Sequence, residues 1–258
     1  MLPLGWHTDI AVLRRTGSLI EEAPDHLVVR TPDNPLYHWG NFVLVTDPRA
    51  VGDAQRWLDV FESEFPDAAH RSVGLVAEPP DPEAWTSHGL AVEHDDVLVT
   101  DTCPDRTPVP QGYLVKQLAD AVEWEQSNGL RIAEFAADDA REAQFERTTT
   151  DARIAMSRAG HTAWFGAFHG DQLAAELGIV DCGDGVARYQ AVVTDEEHRR
   201  RGLASHLLGV AAAWAEQRGA GTWVILAEVD GGAGRLYRAR GFVPTARGTR
   251  AYLKPPPG

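Results

Sequence analysis

The chain is 258 residues long, 43% hydrophobic and 24% charged, close to ordinary globular usage, which excludes a disordered, collagen-like or disulfide-dense protein. A net charge of −14 argues against nucleic acid as a partner, because affinity for a phosphate backbone comes mainly from clustered Lys and Arg. Cys103 and Cys182 are the only cysteines, no CxxC or HExxH pattern occurs and the ten histidines are scattered, so neither a disulfide framework nor a metal site is expected.

No basic segment followed by a long apolar stretch opens the sequence, and no window approaches ~18 uncharged apolar residues, so the expectation is a cytoplasmic protein with no membrane partner. The length exceeds the ~100 to 150 residues of one compact domain. The Pro- and Gly-rich stretch Pro104–Gly112 marks the expected junction, between a first domain over 1–111 and a second over 112–258. The halves differ in charge, with 7 Lys+Arg against 19 Asp+Glu before the boundary and 17 against 19 after it. A homodimer is compatible with this composition, which assigns no interface.

In the first half, His38–Val45 reads as a strand and Arg49–Phe65 as an amphipathic helix with Val51, Trp57, Leu58, Phe61 and Phe65 on its apolar face. Arg71–Ala77 reads as a strand, Asp81–His88 as a short helix, and Leu90–Glu93 with Val97–Thr100 as a hairpin about the acidic turn His94-Asp95-Asp96. In the second half, Tyr113–Leu118 is expected as a strand, Asp120–Gln126 as a short helix and Asp138–Met156 as a helical region interrupted near Thr148–Thr150. Three strands follow, Ala163–Phe168, Gln172–Val180 and Val186–Thr194, joined by the turns His169–Asp171 and Asp181–Gly185. Leu203, Leu207, Leu208, Ala211 and Trp214 share one face of a helix that ends at Gly219, and Trp223–Ala227 is the continuous apolar run of a strand covered on both sides. A short helix over Ala233–Arg240, a strand opened by Gly241-Phe242-Val243 and a terminal hairpin closed by Arg250–Leu253 complete the pattern, with a frayed tail at Pro255–Gly258. The sum is an α/β (α+β) protein with a mixed central sheet flanked by helices.

One stretch carries chemistry. The strand Arg188–Thr194 runs through Asp195–His198 into Arg199-Arg200-Arg201-Gly202-Leu203-Ala204-Ser205 and directly into the amphipathic helix. The first N–H groups of a helix have no internal partner and sit at the positive end of its dipole, so a pyrophosphate placed there gains several hydrogen bonds. Gly202 lets the backbone come close, small Ala204 leaves room, and the arginines add charge-assisted contacts. A basic helix start is electrostatically unfavourable by itself, which favours an anion over mere solvation.

These residues resemble the GNAT acetyltransferase superfamily: Arg199-x-x-Gly202-x-Ala204 is similar to the [Gln/Arg]-x-x-Gly-x-[Gly/Ala] motif that binds the pyrophosphate of acetyl-CoA. Asp230-Gly-Gly-Ala233-Gly-Arg-Leu236-Tyr237, followed by Gly241-Phe242, resembles a second family motif, Asn-x-x-Ala-x-x-Leu-Tyr before Gly-Phe, with Asp in place of Asn. The resemblance implies a GNAT fold, acetyl-CoA as acyl donor, and a small-molecule or protein amine as acceptor. It implies that two parallel strands part to admit the pantetheine arm, which would bond to the backbone of Val192, Val193 and Thr194, and that Tyr237 protonates the departing thiolate. Tyr237 is otherwise read as a core aromatic beside Phe242. A base is nominated only from strand positions, Glu176 and Glu228, with Tyr189 a weaker candidate.

The first half repeats the order strand, helix, strand, short helix, hairpin without an RxxGxA loop, so it reads either as a degenerate GNAT-like unit, making the chain a tandem, or as an unrelated α+β domain. His38, Trp39 and Asn41 are read either as lining a substrate pocket or as core and its neighbours. Two other functions fit less well: a non-catalytic acyl-CoA-binding regulatory or interaction module, and an unrelated nucleotide-binding domain, whose glycine patterns are absent.

Overall fold

The computed structural model describes residues 2–136 and 139–255. In chain order the elements are α1 (Leu4–Arg15), β1 (Leu19–Glu22), β2 (His26–Arg30), β3 (Phe42–Val45), α2 (Ala54–Glu64), β4 (Arg71–Leu75), α3 (Glu83–Thr86), β5 (Ala91–Thr100) and β6 (Tyr113–Gln117). They continue with α4 (Ala121–Phe135), α5 (Ala140–Arg158), β7 (Thr162–His169), β8 (Gln172–Gly183), β9 (Val186–Thr194), α6 (Leu203–Glu216), β10 (Thr222–Glu228), α7 (Gly232–Arg238) and β11 (Val243–Leu253). Among the described residues no helix is long and apolar enough to cross a membrane.

The chain divides into two compact units, Met1–Val97 with Ala246–Gly258, and Leu98–Thr245. The divisions fall within β5 and β11, away from the 111/112 position read from the sequence. Two contacts explain the difference. Thr249–Leu253 pair antiparallel with Leu75–Arg71 of β4, drawing the last strand into the first unit. The proline-rich stretch is no free linker but lies against α6: His206 Nδ1 donates to the Thr107 carbonyl at 2.5 Å, and a Cβ at Gly209 would sit 2.5 Å from the Asp105 oxygen. Only glycine admits that crossing.

In the first unit β1, β2 and β3 are antiparallel neighbours and β3 pairs parallel with β4 across α2. Ala54, Trp57, Leu58 and Phe61 recur at helical spacing and form the buried face of α2. The strand expected from His38 begins only at Phe42, because His38–Gly40 forms a 3-10 turn. Asn41 fastens that turn, accepting from Thr31 N and donating to the carbonyls of Asn34 and Tyr37. The expected hairpin at 90–100 is one strand, β5, whose acidic middle is met by cations: Asp95 pairs with Arg250. His38 stacks on His70 at 4.2 Å and its Nδ1 shares a hydrogen bond with the Tyr252 hydroxyl at 2.7 Å, which places His38, Trp39 and Asn41 in a packed side-chain cluster of this unit.

In the second unit β6, β7, β8 and β9 form an antiparallel run, and β9 pairs parallel with β10 across α6. Alternation along β7 serves two faces. Ala163, Phe165 and Ala167 join the core under α6 with Leu203, Leu207 and Ala211, whereas Trp164 and Phe168 pack with Trp124 and Leu130 of α4. Full burial of Leu207 and Leu208 contributes roughly 1.5–3 kcal/mol each. The helix expected over Asp120–Gln126 runs on to Phe135, opened by a capping box between Asp120 and Glu123. The expected break near Thr148–Thr150 is absent: Thr150 Oγ1 donates to the Glu146 carbonyl one turn back, so the hydroxyl is satisfied inside a continuous α5. The start of that region expected at Asp138 lies outside the described residues, as does most of the tail expected to fray. The terminal hairpin is also replaced by one strand, β11.

A buried ionic cluster ties α4 and α5 to the sheet. Arg131, fully buried, donates to Glu146 at 3.0 Å, to Ser127 at 2.8 Å, to Thr150 at 2.9 Å and to Glu176 of β8. Arg153 adds a second cation on Glu146 at 3.1 Å, and both guanidiniums lie over the Trp164 ring. Burial pulls Arg153 down to about 10, assisted by repulsion from Arg131, and burial pushes the Glu176 carboxyl up against the opposing pull of Arg131.

Two outcomes are expected. Arg131→Met strips Glu146 and Glu176 of their shared partner and should lower unfolding free energy by about 3–5 kcal/mol in urea titration. Burial, then His70 and Lys254, hold His38 down at about 4, below its ordinary 6.5. Between those values the unfolded chain takes up the proton first, so stability present above pH 6.5 is lost as pH falls towards 4. The melting temperature of the wild type should therefore drop between pH 6.5 and 5 more steeply than that of His38→Asn.

Candidate active site

β9 leads into a 3-10 turn, Glu196–His198, capped by Asp195, whose carboxylate accepts from Glu197 N at 3.0 Å. The chain then reverses with Arg200 at φ +61° and Gly202 at φ +83°. The left-handed region costs a non-glycine residue such as Arg200 roughly 1–2 kcal/mol, and Gly202 nothing comparable. Gly202 is the N-cap of α6; no side chain caps this end and no acidic residue lies in the first turn. The first helical bond runs from His206 N to Gly202 O at 3.1 Å, so the N–H groups of Leu203, Ala204 and Ser205 have no helical acceptor. Such an end attracts an anion.

The three arginines divide their work. Arg199 donates from Nε to the Thr194 carbonyl at 3.1 Å and pairs through Nη2 with Glu134 of α4 at 2.6 Å. Arg201 donates to the Glu197 carbonyl at 3.1 Å, closing the loop on itself. Arg200 is exposed and, among the described residues, has no side-chain partner, which leaves its guanidinium available. Glu134 had no sequence signal: it precedes Arg199 by 65 positions and is brought to it by α4 alone.

Beside this loop the sheet opens. The parallel ladder between β9 and β10 covers Val186–Arg188 and Thr222–Val224, yet β9 continues to Thr194 and β10 to Glu228. On its other edge β9 bulges: Gln190 faces Gly178 and Val193 faces Glu176, so one extra residue of β9 spans the interval, and Ala191 takes φ +44°. Val192 lies on the bulge, half-buried, while Val193 and Thr194 return to register with Glu176 and Ala175. Backbone groups at the opening are therefore candidates for a ligand's hydrogen bonds.

Tyr237, on α7, is buried, edge-on to Phe242 at 6.3 Å, and burial pushes its phenol up to about 12. Ala233 and Asp230 are exposed at the entry to α7, Asp230 in the left-handed region at φ +63°. The nominated bases differ sharply. Glu228 is exposed at the end of β10, whereas Glu176 is fully buried and held by Arg131. Tyr189 donates its hydroxyl to the Leu208 carbonyl at 2.8 Å, burial raising it well above the usual phenol range. A cleft of about 730 Å³ between α4 and the β7–β8 turn, lined in part by Leu130, His169, Asp171 and Asp195, contains none of the predicted site residues.

The first unit repeats the strand–helix–strand element as β3–α2–β4 but finishes it differently. Asp53 is the N-cap of α2 and its own carboxylate accepts from Arg56 N at 3.3 Å, so that helix end carries a built-in anion.

Residues 123–242 match the profile of the Acetyltransferase (GNAT) family. An acetyl-coenzyme A synthetase of Streptomyces avermitilis is 29% identical over 109 residues, covering 38% of this chain and only 16% of that relative's length. Among solved structures, a functionally unknown conserved protein from Staphylococcus epidermidis superposes with a TM-score of 0.74 at 13% identity, covering 92% of this chain and 93% of that one. A GCN5-related N-acetyltransferase from Kribbella flavida follows at 0.66 and 19% identity, covering 99% and 98%. A tandem GNAT protein from the clavulanic acid biosynthesis pathway gives 0.59 and 14% identity, covering 97% and 88%. At these identities the superpositions establish the fold, which is that of GNAT proteins and is shared with a tandem member. Residues 123–242, and with them the arginine loop that opens α6 and the helix bearing Tyr237, belong to the acetyltransferase (GNAT) family.

Proposed function

We propose that the chain is an N-acetyltransferase that moves an acetyl or other short acyl group from acyl-CoA to a primary amine by direct attack on the thioester. The observation that carries this reading is the uncapped start of α6, with Arg200 unspent, opening beside two parallel strands that part after Arg188 and Val224. In this reading the pyrophosphate lies on the N–H groups of Leu203, Ala204 and Ser205, and the pantetheine arm bonds to the backbone of β9 at Val192–Thr194. Asp230 and Ala233 flank the cofactor at the entry to α7. The first unit, with its helix end already capped by Asp53, is a degenerate companion that binds no donor of its own.

The neutral amine forms the new C–N bond, the carbonyl oxygen takes up negative charge against backbone N–H groups, and the C–S bond breaks. The amine's proton leaves to water or to Glu228, the nominated carboxylate that solvent reaches. The Tyr237 phenol gives its proton to the thiolate. A phenol at about 12 is fully protonated at neutral pH, and the burial that raises it raises the proton affinity of a thiolate in the same place. Glu176, enclosed with Arg131, acts in this reading on the scaffold.

Calorimetric titration with acetyl-CoA, followed by a thiol-release assay over small amines and amine-bearing peptides, tests the reaction and its acceptor. Binding without release on any amine would favour an acyl-CoA-binding module. Gly202→Asp puts a negative side chain at the helix start and should weaken acetyl-CoA binding at least about tenfold; unchanged affinity would sink the loop assignment. Tyr237→Phe should lower turnover by roughly 10²–10⁴ while leaving the acetyl-CoA dissociation constant within about threefold, and an unaltered turnover would remove Tyr237 from the chemistry.

A further inference from the structure

We propose that Tyr113 is a positioning residue for the acyl donor: through a hydrogen bond to His198 it clamps the middle of the phosphate-facing loop to the sheet. The inference rests on the acyl-CoA reading above and adds a residue outside both sequence motifs.

The Tyr113 hydroxyl lies 2.7 Å from His198 Nδ1, joining residues 85 positions apart. Tyr113 opens β6, opposite His169 of β7, and its ring is buried in the core beneath α6. The rings of Tyr113, His169 and His198 are mutually in contact, with centroids 5.4, 5.7 and 5.5 Å apart. His198 ends the 3-10 turn and immediately precedes Arg199.

The other ties on the loop explain why this one matters. Asp195 N donates to the Ala174 carbonyl at 2.9 Å, which fixes where the loop leaves β9, and α6 fixes where it ends. Between them, the bonds of Asp195 to Glu197 N, Arg199 to Thr194 and Arg201 to Glu197 join the loop to itself or to the residue before it. The Arg199–Glu134 pair reaches further but is exposed on both sides, where water and salt weaken it. Tyr113 supplies the partly buried contact to the sheet, next to the strained turn at Arg200 and Gly202. A loop held there presents the α6 N–H groups in one arrangement before the ligand arrives, so less ordering accompanies binding.

A double-mutant cycle on acetyl-CoA affinity tests the clamp. Tyr113→Phe keeps the buried ring and removes the hydroxyl; His198→Leu removes its partner; His198→Asn returns an amide that can donate or accept near the Nδ1 position. Tyr113→Phe and His198→Leu should each raise the acetyl-CoA dissociation constant about threefold to tenfold, and the double variant should bind no worse than either single one. His198→Asn should bind within about twofold of the wild type. In the thiol-release assay KM for acetyl-CoA should rise with kcat unchanged, a split that a general loss of folding would not produce. Unchanged affinity in Tyr113→Phe, or multiplicative losses in the double variant, would overturn the clamp while wild-type binding leaves the acyl-CoA reading standing. Absence of wild-type binding overturns both.

Discussion

Two hydrogen-bonded parallel strands that separate inside a sheet leave backbone donors and acceptors without partners, and water or a ligand must meet them. In this protein the separation begins after Arg188 and Val224. Much of the surrounding structure can be understood as what lets β9 leave β10 and still belong to the sheet. The bulge at Ala191 changes the phase of β9 against β8, and the strand re-enters register at Val193. The same strand then delivers the chain to the start of α6, whose first N–H groups are also without partners. Strand backbone beyond the β9–β10 ladder and the first N–H groups of α6 thus lie in sequence along one stretch, which suits the elongated, anionic donor of the function proposed above.

An opened sheet needs stiffness elsewhere. On the face away from α6 it comes from the ion cluster of Arg131, Glu146, Arg153 and Glu176, which fixes two helices to β8. Desolvating four charges is expensive unless each finds partners, and here two cations meet two carboxylates while the hydroxyls of Ser127 and Thr150 accept from the remaining donors of Arg131. Glu176 also stands opposite Val193, where β9 regains register, so the cluster braces the strand next to the bulge.

The sequence was most legible where one segment dictates its own structure. Gly202 at the head of an apolar helix, the turn Asp181–Gly185 before Val186–Thr194 and the run Trp223–Ala227 each carry a local signal, and the strand–loop–helix–strand unit follows from them. The motif match to the GNAT family rests on that unit. Errors occurred where distant residues decide: β5 stays straight because Arg250 meets Asp95, and α5 stays whole because Thr150 bonds backwards along it. Glu176 is nominated from its strand position, and nothing local announces that Arg131 encloses it. His198 likewise gave no hint of Tyr113, and Arg199 none of Glu134.

Among the differences between the two strand–helix–strand elements is the residue that opens the helix. Asp53 supplies α2 with its own negative end, whereas Gly202 supplies α6 with none. The Asp53 carboxylate accepts from Arg56 N in the first turn of α2, so that helix end already holds an anion of its own. In the function proposed above, a protein with two copies of one supersecondary element takes one donor, because the helix end of the other copy is met by its own carboxylate.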